Sequence, residues 1–120
     1  MKRWVVFAPV AAYAGAIFVL SHQSQLPAPP GGDKLAHFVT FAGLAVLSVR
    51  ALYYGTVWPQ STVILGAALF TTLYGMFDEL HQSFVPGRSA AIEDAVADAA
   101  GALCGATVAL LVYRRNRRAR

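Results

Sequence analysis

The sequence predicts an all-α integral membrane protein, one domain over residues 1–120 folded as a bundle of four transmembrane helices. Of the 120 residues, 57% are hydrophobic and only 13% are charged, whereas soluble domains are about 25% charged. This composition excludes a disordered chain, a coiled coil and a soluble nucleic-acid-binding module. Four apolar stretches and their flanks predict spans at approximately residues 4–22, 35–54, 61–80 and 92–113.

The first apolar stretch begins like a secretory signal peptide, behind Lys2 and Arg3. The run is long, and no small-residue cleavage site follows it. A helix of a soluble bundle would carry a polar stripe, and none occurs between Phe7 and Leu20. We therefore expect a first transmembrane helix that is retained.

Basic residues at the two termini predict the orientation of the spans. Seven of the 10 basic residues lie before the first span or after the last: Lys2, Arg3, Arg114, Arg115, Arg117, Arg118 and Arg120. Basic flanks favour the cytoplasmic side, so both termini are expected there. All six carboxylates and all three histidines then fall in the outer loops or outer helix ends, which predicts a polar cluster on the outer face.

Charged and imidazole side chains begin the second helix. Asp33 follows a segment rich in proline and glycine and is placed to act as a helix N-cap. Lys34 and His37 lie one turn apart behind it. Lys34 alone is explained as an interfacial anchor, whereas His37 lies a full turn deeper and calls for a polar environment.

The third helix carries a polar stripe in its outer half. Thr71, Tyr74, Asp78 and His81 recur at helical spacing, and Glu79 and Gln82 flank them. Ionisable groups at this depth usually face the bundle interior or a water-filled cavity. A turn at Pro86 and Gly87 then leads through Arg88 to the fourth helix.

In the fourth helix, two aspartates and two glycines share one narrow stripe. Asp94, Asp98, Gly101 and Gly105 fall at i, i+4, i+7 and i+11. The two glycines form a GxxxG step, which lets another backbone approach closely. Asp98 lies towards the hydrocarbon and needs a partner, for which Arg88, Lys34 and His81 are the candidates.

Three motifs together resemble the VanZ-like family over nearly the whole chain. They are Asp33-Lys34-Leu35-Ala36-His37-Phe38, the run from Tyr74 to Arg88 with its DE-x-x-Q-x-F-x-PGR pattern, and Asp94-x-x-x-Asp98-x-x-Gly101. The resemblance implies a small multi-pass protein of the bacterial cytoplasmic membrane. The founding member of the family is associated with low-level teicoplanin resistance, although membership does not make this chain a resistance factor. Asp98 departs from the family pattern, because relatives often have asparagine there.

The leading hypothesis is an outward-facing pocket that binds an anionic lipid headgroup or a lipid-linked cell-wall precursor. Lys34 and Arg88 would engage the anion, and Asp94 and Asp98 would position those bases. The full set of expected ligand-binding residues is Lys34, His37, Asp78, Glu79, Gln82, Arg88, Asp94 and Asp98. Structural roles are expected for Asp33, Pro86, Gly87, Gly101 and Gly105.

Two other hypotheses stay open. One is a membrane-embedded hydrolase or transferase acting on a lipid phosphate or glycan, with Asp78 or Glu79 paired with His81 or His37 as acid/base groups. The other is a network that only holds the helices together. A metal site is possible, since His37, His81, Asp78, Glu79, Asp94 and Asp98 supply hard and borderline ligands, but Asp78-Glu79-Leu80-His81 is not HExxH and no spacing is diagnostic for zinc. The expected partners include no metal, cofactor or nucleic acid. The sequence leaves a homodimer open.

Overall fold

The computed structural model of the chain describes residues 2–23 and 32–118 and is helical throughout its regular elements. A 3₁₀ turn, Arg3–Phe7, leads into α1 (Ala8–Ser21), and α2 (Asp33–Gly55), α3 (Gln60–Gln82) and α4 (Ile92–Arg118) follow. Four segments are long and apolar enough to cross a membrane: Arg3–Ser21, Asp33–Gly55, Gln60–Gln82 and Ile92–Asn116. The prediction of four helices that are long and apolar enough to span a membrane is therefore confirmed. The proline-rich segment 27–30 and Arg120 lie outside the described residues.

The connections make neighbouring helices antiparallel. Only residues 56–59 separate α2 from α3, and Pro59 is the N-cap of α3. Gly32, with a φ of 91°, precedes α2. Asp33 is thus the first residue of α2 and not its N-cap, so the predicted capping role is wrong. Its carboxylate lies one turn from His37 instead, as described below.

The glycines of α4 bring its backbone against that of α2. A methyl group on Gly101 would overlap the carbonyl oxygen of Phe38, and one on Gly105 would overlap the carbonyl oxygen of Ala42. The helix that approaches the GxxxG step is therefore α2. This close approach fixes how far Asp94 and Asp98, on the same stripe of α4, stand from the start of α2.

The bundle has an apolar middle, an apolar outside and polar residues at one end. Two core clusters of buried side chains pack between the helices, one around Val49, Val63 and Ala67 and the other around Phe41 and Leu44. Large apolar side chains also cover the outside, among them Leu65, Leu73, Leu103 and Leu111. Exposed apolar surface of this extent suits contact with lipid. We call the end that carries Ser21, Asp33, Gln82 and Asp94 the distal end, since it lies opposite the two termini.

Candidate functional site

Buried polar side chains from all four helices meet at the distal end. Seven of them have 9% or less of their surface exposed, and we call these seven the distal cluster: Ser21, His37, Asp78, Glu79, Gln82, Asp94 and Asp98. They come from the end of α1, the start of α2, the end of α3 and the start of α4. Antiparallel packing of the helices is what brings these four ends together.

His37 is the centre of the distal cluster. Its Nδ1 atom lies 2.7 Å from Oδ1 of Asp98 and 3.6 Å from Oε1 of Glu79. Its Nε2 atom lies 3.8 Å from Oδ2 of Asp33 and 3.9 Å from Oδ2 of Asp94. One buried imidazole therefore faces four carboxylates, two on each ring nitrogen. This arrangement gives Asp98 a partner that differs from the three candidates named from the sequence.

A separate hydrogen-bond network holds Asp78. The hydroxyl of Ser21 donates to Oδ1 of Asp78, and Nε2 of Gln82 donates to Oδ2 at 3.3 Å. The same Gln82 nitrogen lies 3.3 Å from the Ser21 oxygen. Both oxygens of Asp78 are thus bonded, and the network ties the end of α1 to α3.

Glu79, Asp94 and Asp98 each keep one buried oxygen without a hydrogen-bond partner among the described residues: Oε1, Oδ1 and Oδ2 respectively. The other oxygen of Glu79, Oε2, accepts a bond of 3.2 Å from the backbone N–H of Ala91 at the start of α4. Burying carboxylates is costly unless positive charge or hydrogen bonds compensate them. The cluster is therefore short of positive charge.

Two cations lie at the rim of the distal end. The Lys34 side chain is 64% exposed, and its Nζ atom lies 3.6 Å from Oδ1 of Asp94. Arg88 donates from Nη1 to the backbone oxygen of Gln23 at 3.4 Å. Neither cation is bonded to Asp98. Of the contacts expected between the two aspartates of α4 and the two cations, the one between Asp94 and Lys34 is present.

A tight turn places Arg88 beyond the end of α3. The N–H of Arg88 donates to the oxygen of Val85 at 3.2 Å, and Gly87 between them has a φ of 80°. Pro86 at the second position and glycine at the third are the residues that a type II turn favours. This turn gives Pro86 and Gly87 their structural part at the rim.

His81 lies outside the distal cluster, against α1. Its Nε2 atom is 3.1 Å from Nδ1 of His22, and its ring stacks on Phe18 at 4.5 Å between centroids. His81, one of the three candidate partners of Asp98, does not pair with it, because its side chain lies against α1. Among the described residues, His37 is the histidine within 4 Å of Glu79 and Asp98.

The comparison with protein families decides the identity of the chain. A sequence model of the VanZ/LLP1 family matches residues 3–113, nearly the whole length. The chain belongs to the VanZ/LLP1 family. Comparisons with curated proteins and with solved structures give no match. Membership and four membrane-capable helices together make this chain a VanZ-like multi-pass membrane protein.

The VanZ/LLP1 motif positions all lie at the distal end. The structure places these residues there: Asp33, Lys34, His37, Asp78, Glu79, Gln82, Pro86, Gly87, Arg88, Asp94 and Asp98. His37, Asp78, Glu79, Gln82, Asp94 and Asp98 are buried, whereas Lys34 and Arg88 belong to the rim. In this chain the motif positions on which the resemblance rests thus form one buried acidic centre with a basic edge.

Gly75 is a site residue that the sequence reasoning missed. A methyl group on Gly75 would lie 2.8 Å from Cβ of Asp98, so the glycine leaves room for that side chain. The buried stripe of α3 runs through Thr71, Gly75, Asp78 and Gln82. Its spacing of i, i+4, i+7 and i+11 was available in the sequence, but a glycine carries no polar group that draws attention to it.

Proposed function

We propose that this VanZ/LLP1 protein binds an anionic lipid headgroup, or the phosphate of a lipid-linked cell-wall precursor, at its distal end. The observation that carries the proposal is the position of Lys34. Its ammonium lies 3.6 Å from the buried Asp94 carboxylate, while 64% of the side chain stays exposed. A lysine held in this way keeps N–H donors available for a phosphate at the membrane surface.

Arg88 supplies the second part of the proposed anion site. The guanidinium has five N–H donors, and Nη1 uses one of them on the Gln23 backbone at 3.4 Å. Bonds from arginine to phosphate are charge-assisted and frequently bidentate. The turn at Gly87 holds the start of the Arg88 side chain near the end of α1.

The proposal requires the distal end to face outward from the bacterial cytoplasmic membrane, with both termini in the cytoplasm. The basic residues that support this orientation lie at the opposite end from the acidic cluster, with Arg114 and Arg115 in the last turns of α4. A reporter that is active only in the cytoplasm is expected to be active when fused behind residue 120. Activity of a periplasmic reporter at the same position would refute the orientation.

Native mass spectrometry of the full chain from mild detergent tests the headgroup proposal. We expect a discrete lipid adduct on the wild type that is lost or strongly reduced in Lys34→Ala and Arg88→Ala. Arg50→Ala is the matched control, because it removes an arginine from α2 near the other end of the bundle. The proposal fails if the rim variants carry the same lipids as wild type and Arg50→Ala. The same spectra show whether the protein forms the homodimer that the sequence leaves open.

The link between this family and teicoplanin resistance suggests a test in cells. A VanZ-like protein that covers a lipid-linked precursor would lower the access of a lipid-tailed glycopeptide such as teicoplanin to the membrane surface. Expression of the wild type is then expected to raise teicoplanin tolerance, and Arg88→Ala is expected to raise it less. If the wild type leaves tolerance at the level of an empty vector, this chain has no part in the resistance phenotype; equal tolerance with both proteins at equal expression would show that Arg88 is not needed for it.

The geometry of His37 favours a second candidate function, a membrane-embedded hydrolase or transferase acting on a lipid phosphate or glycan. His37 lies 2.7 Å from Asp98 and 3.6 Å from Glu79, so an imidazole and two carboxylates share one buried site. Proton transfer requires groups within about 3 Å of the transferred proton. Glu79→Gln keeps the shape of the side chain and should abolish turnover while leaving much of a pure binding function, with the exposed Glu93→Gln on α4 as control.

A further inference from the structure

We propose that the distal cluster is a binding site for one divalent metal ion, ligated by His37, Asp78, Glu79 and Asp98. Each of the four offers a ligand atom, and these atoms all lie within 4.8 Å of one another. All four residues are buried. The inference goes beyond headgroup binding and does not depend on it, since the metal is bound by different side chains.

The separations between the ligand atoms suit a single ion. Two ligands that each lie 2.1 Å from a metal are about 3.0 Å apart at an octahedral angle and about 3.4 Å apart at a tetrahedral angle. Nδ1 of His37 lies 2.7 Å from the Asp98 oxygen and 3.6 Å from the Glu79 oxygen. These two distances lie on either side of the expected values, so small shifts of the side chains suffice to ligate an ion.

Unbonded buried oxygens are the second, independent observation that points to a cation. Asp98 is 0% exposed and Glu79 is 7% exposed. Oδ2 of Asp98 and Oε1 of Glu79 have no hydrogen-bond partner among the described residues. Leaving such atoms without a partner is costly. An ion bound within the cluster would give such oxygens a partner and compensate the surplus of carboxylates around one imidazole.

The second ring nitrogen of His37 has the surroundings expected of a metal-binding histidine. A ligating histidine usually donates its other N–H to a carboxylate, which fixes the tautomer and the ring orientation. Nε2 of His37 faces the carboxylates of Asp33 at 3.8 Å and Asp94 at 3.9 Å. Neither distance is a hydrogen bond as it stands; with Nδ1 on an ion, Nε2 would carry the proton and face these two carboxylates.

The alternative group of Asp33, His37 and Asp94 is less suited to a metal. The Asp33 side chain is 63% exposed, so bulk water screens its charge. The Lys34 ammonium lies 3.6 Å from the Asp94 carboxylate and would repel a cation there. The three buried carboxylates of the proposed site, Asp78, Glu79 and Asp98, have no such competitor within salt-bridge distance among the described lysines and arginines.

Neighbouring groups hold two of the ligands in place before any ion arrives. The Ala91 N–H bonds Oε2 of Glu79, which leaves Oε1 directed at His37. Ser21 and Gln82 hold the Asp78 carboxylate. Such outer contacts raise metal affinity because the ligands need little rearrangement.

The donor set selects among metal ions. One imidazole nitrogen with three carboxylate oxygens combines a ligand typical of Zn²⁺ sites with ligands typical of Mn²⁺ sites. Mn²⁺ fits this mixture and has a spectroscopic signal, so it is the probe, with Zn²⁺ as its competitor.

The test titrates Mn²⁺ alone into the full-length protein in detergent after washing with a chelator. We expect one Mn²⁺ per chain by calorimetry, and magnetic coupling of the ion to a histidine nitrogen by pulsed electron paramagnetic resonance. Asp98→Asn and Glu79→Gln should each weaken binding by at least about 10-fold, because losing even an outer contact of a metal ligand costs about 10- to 100-fold. His37→Gln should abolish the nitrogen coupling. Glu93→Gln, the same change on the exposed side of α4, should bind like wild type.

Affinities are compared only among variants that keep the helical circular dichroism of wild type. If Asp98→Asn does not fold, Glu79→Gln decides, because its amide can still accept the Ala91 bond. The proposal is overturned if folded wild type binds no Mn²⁺ or Zn²⁺. It is equally overturned if the folded cluster variants bind as tightly as Glu93→Gln, which would place the ion elsewhere.

Discussion

Replacing Gly101 by alanine tests the close packing of α4 against α2. The added methyl group would overlap the carbonyl oxygen of Phe38, which belongs to a helix backbone and cannot swing aside. Overpacking costs about 1–3 kcal/mol, and a rigid backbone neighbour places this site in the upper part of that range. Alanine recovers about 1 kcal/mol of helix propensity over glycine. We therefore expect a net loss of about 1–2 kcal/mol in the free energy of unfolding.

Gly15→Ala on α1 is the matched control. A methyl group at Gly15 would meet nothing within 4 Å, so only the propensity gain of up to about 1 kcal/mol applies. The two alanine variants should thus differ by about 2–3 kcal/mol in equilibrium unfolding by sodium dodecyl sulfate in mixed micelles, followed by far-UV circular dichroism. If Gly101→Ala unfolds at the same detergent fraction as Gly15→Ala, the backbones of α2 and α4 do not approach as described.

Three further substitutions test single contacts, Gly75→Ala by the Mn²⁺ titration and the other two by the same unfolding assay. Gly75→Ala places a methyl group 2.8 Å from Cβ of Asp98. The aspartate must move by about 1 Å to restore normal carbon contact, so Mn²⁺ binding should weaken while helicity is kept. Gly87→Ala should cost about 1–2 kcal/mol, because its φ of 80° disfavours a side chain. Tyr74→Phe removes the 2.6 Å bond from its hydroxyl to the oxygen of Ala14 and should cost about 1 kcal/mol. Unchanged stability in either of the last two variants would contradict the contact concerned.

Composition and periodicity were sufficient to predict the number and kind of the helices. The four apolar stretches could only be membrane-capable helices, because their length and lack of charge left no alternative. The stripe of Asp94, Asp98, Gly101 and Gly105 correctly grouped the polar and close-packed parts of α4 on one face. Such patterns depend on the helix alone, and a helix has the same period in every protein.

The sequence alone did not predict which side chains of different helices meet. Asp98 was expected to pair with one of three cationic candidates, yet it meets His37, because the GxxxG contact sets α4 directly against the start of α2. His81 has the spacing of the polar stripe on α3 but stacks on Phe18 of α1. One residue step around a helix is 100°, so the difference between facing the cluster and facing α1 depends on the rotation of α3, which spacing alone does not determine.

The charges of the distal end explain why the two proposals can coexist at one end of the bundle. Asp78, Glu79, Asp94 and Asp98 are all buried there, and an anion brought beside four carboxylates would be repelled unless positive charge stood between them. Lys34 provides one such charge at the rim, where it already lies against Asp94. A divalent ion on Nδ1 of His37 would supply two more from inside the cluster, and the Arg88 guanidinium adds one at the rim. The four buried carboxylates alone would repel a phosphate. With a divalent ion bound among them, a phosphate-binding surface above the cluster becomes electrostatically reasonable.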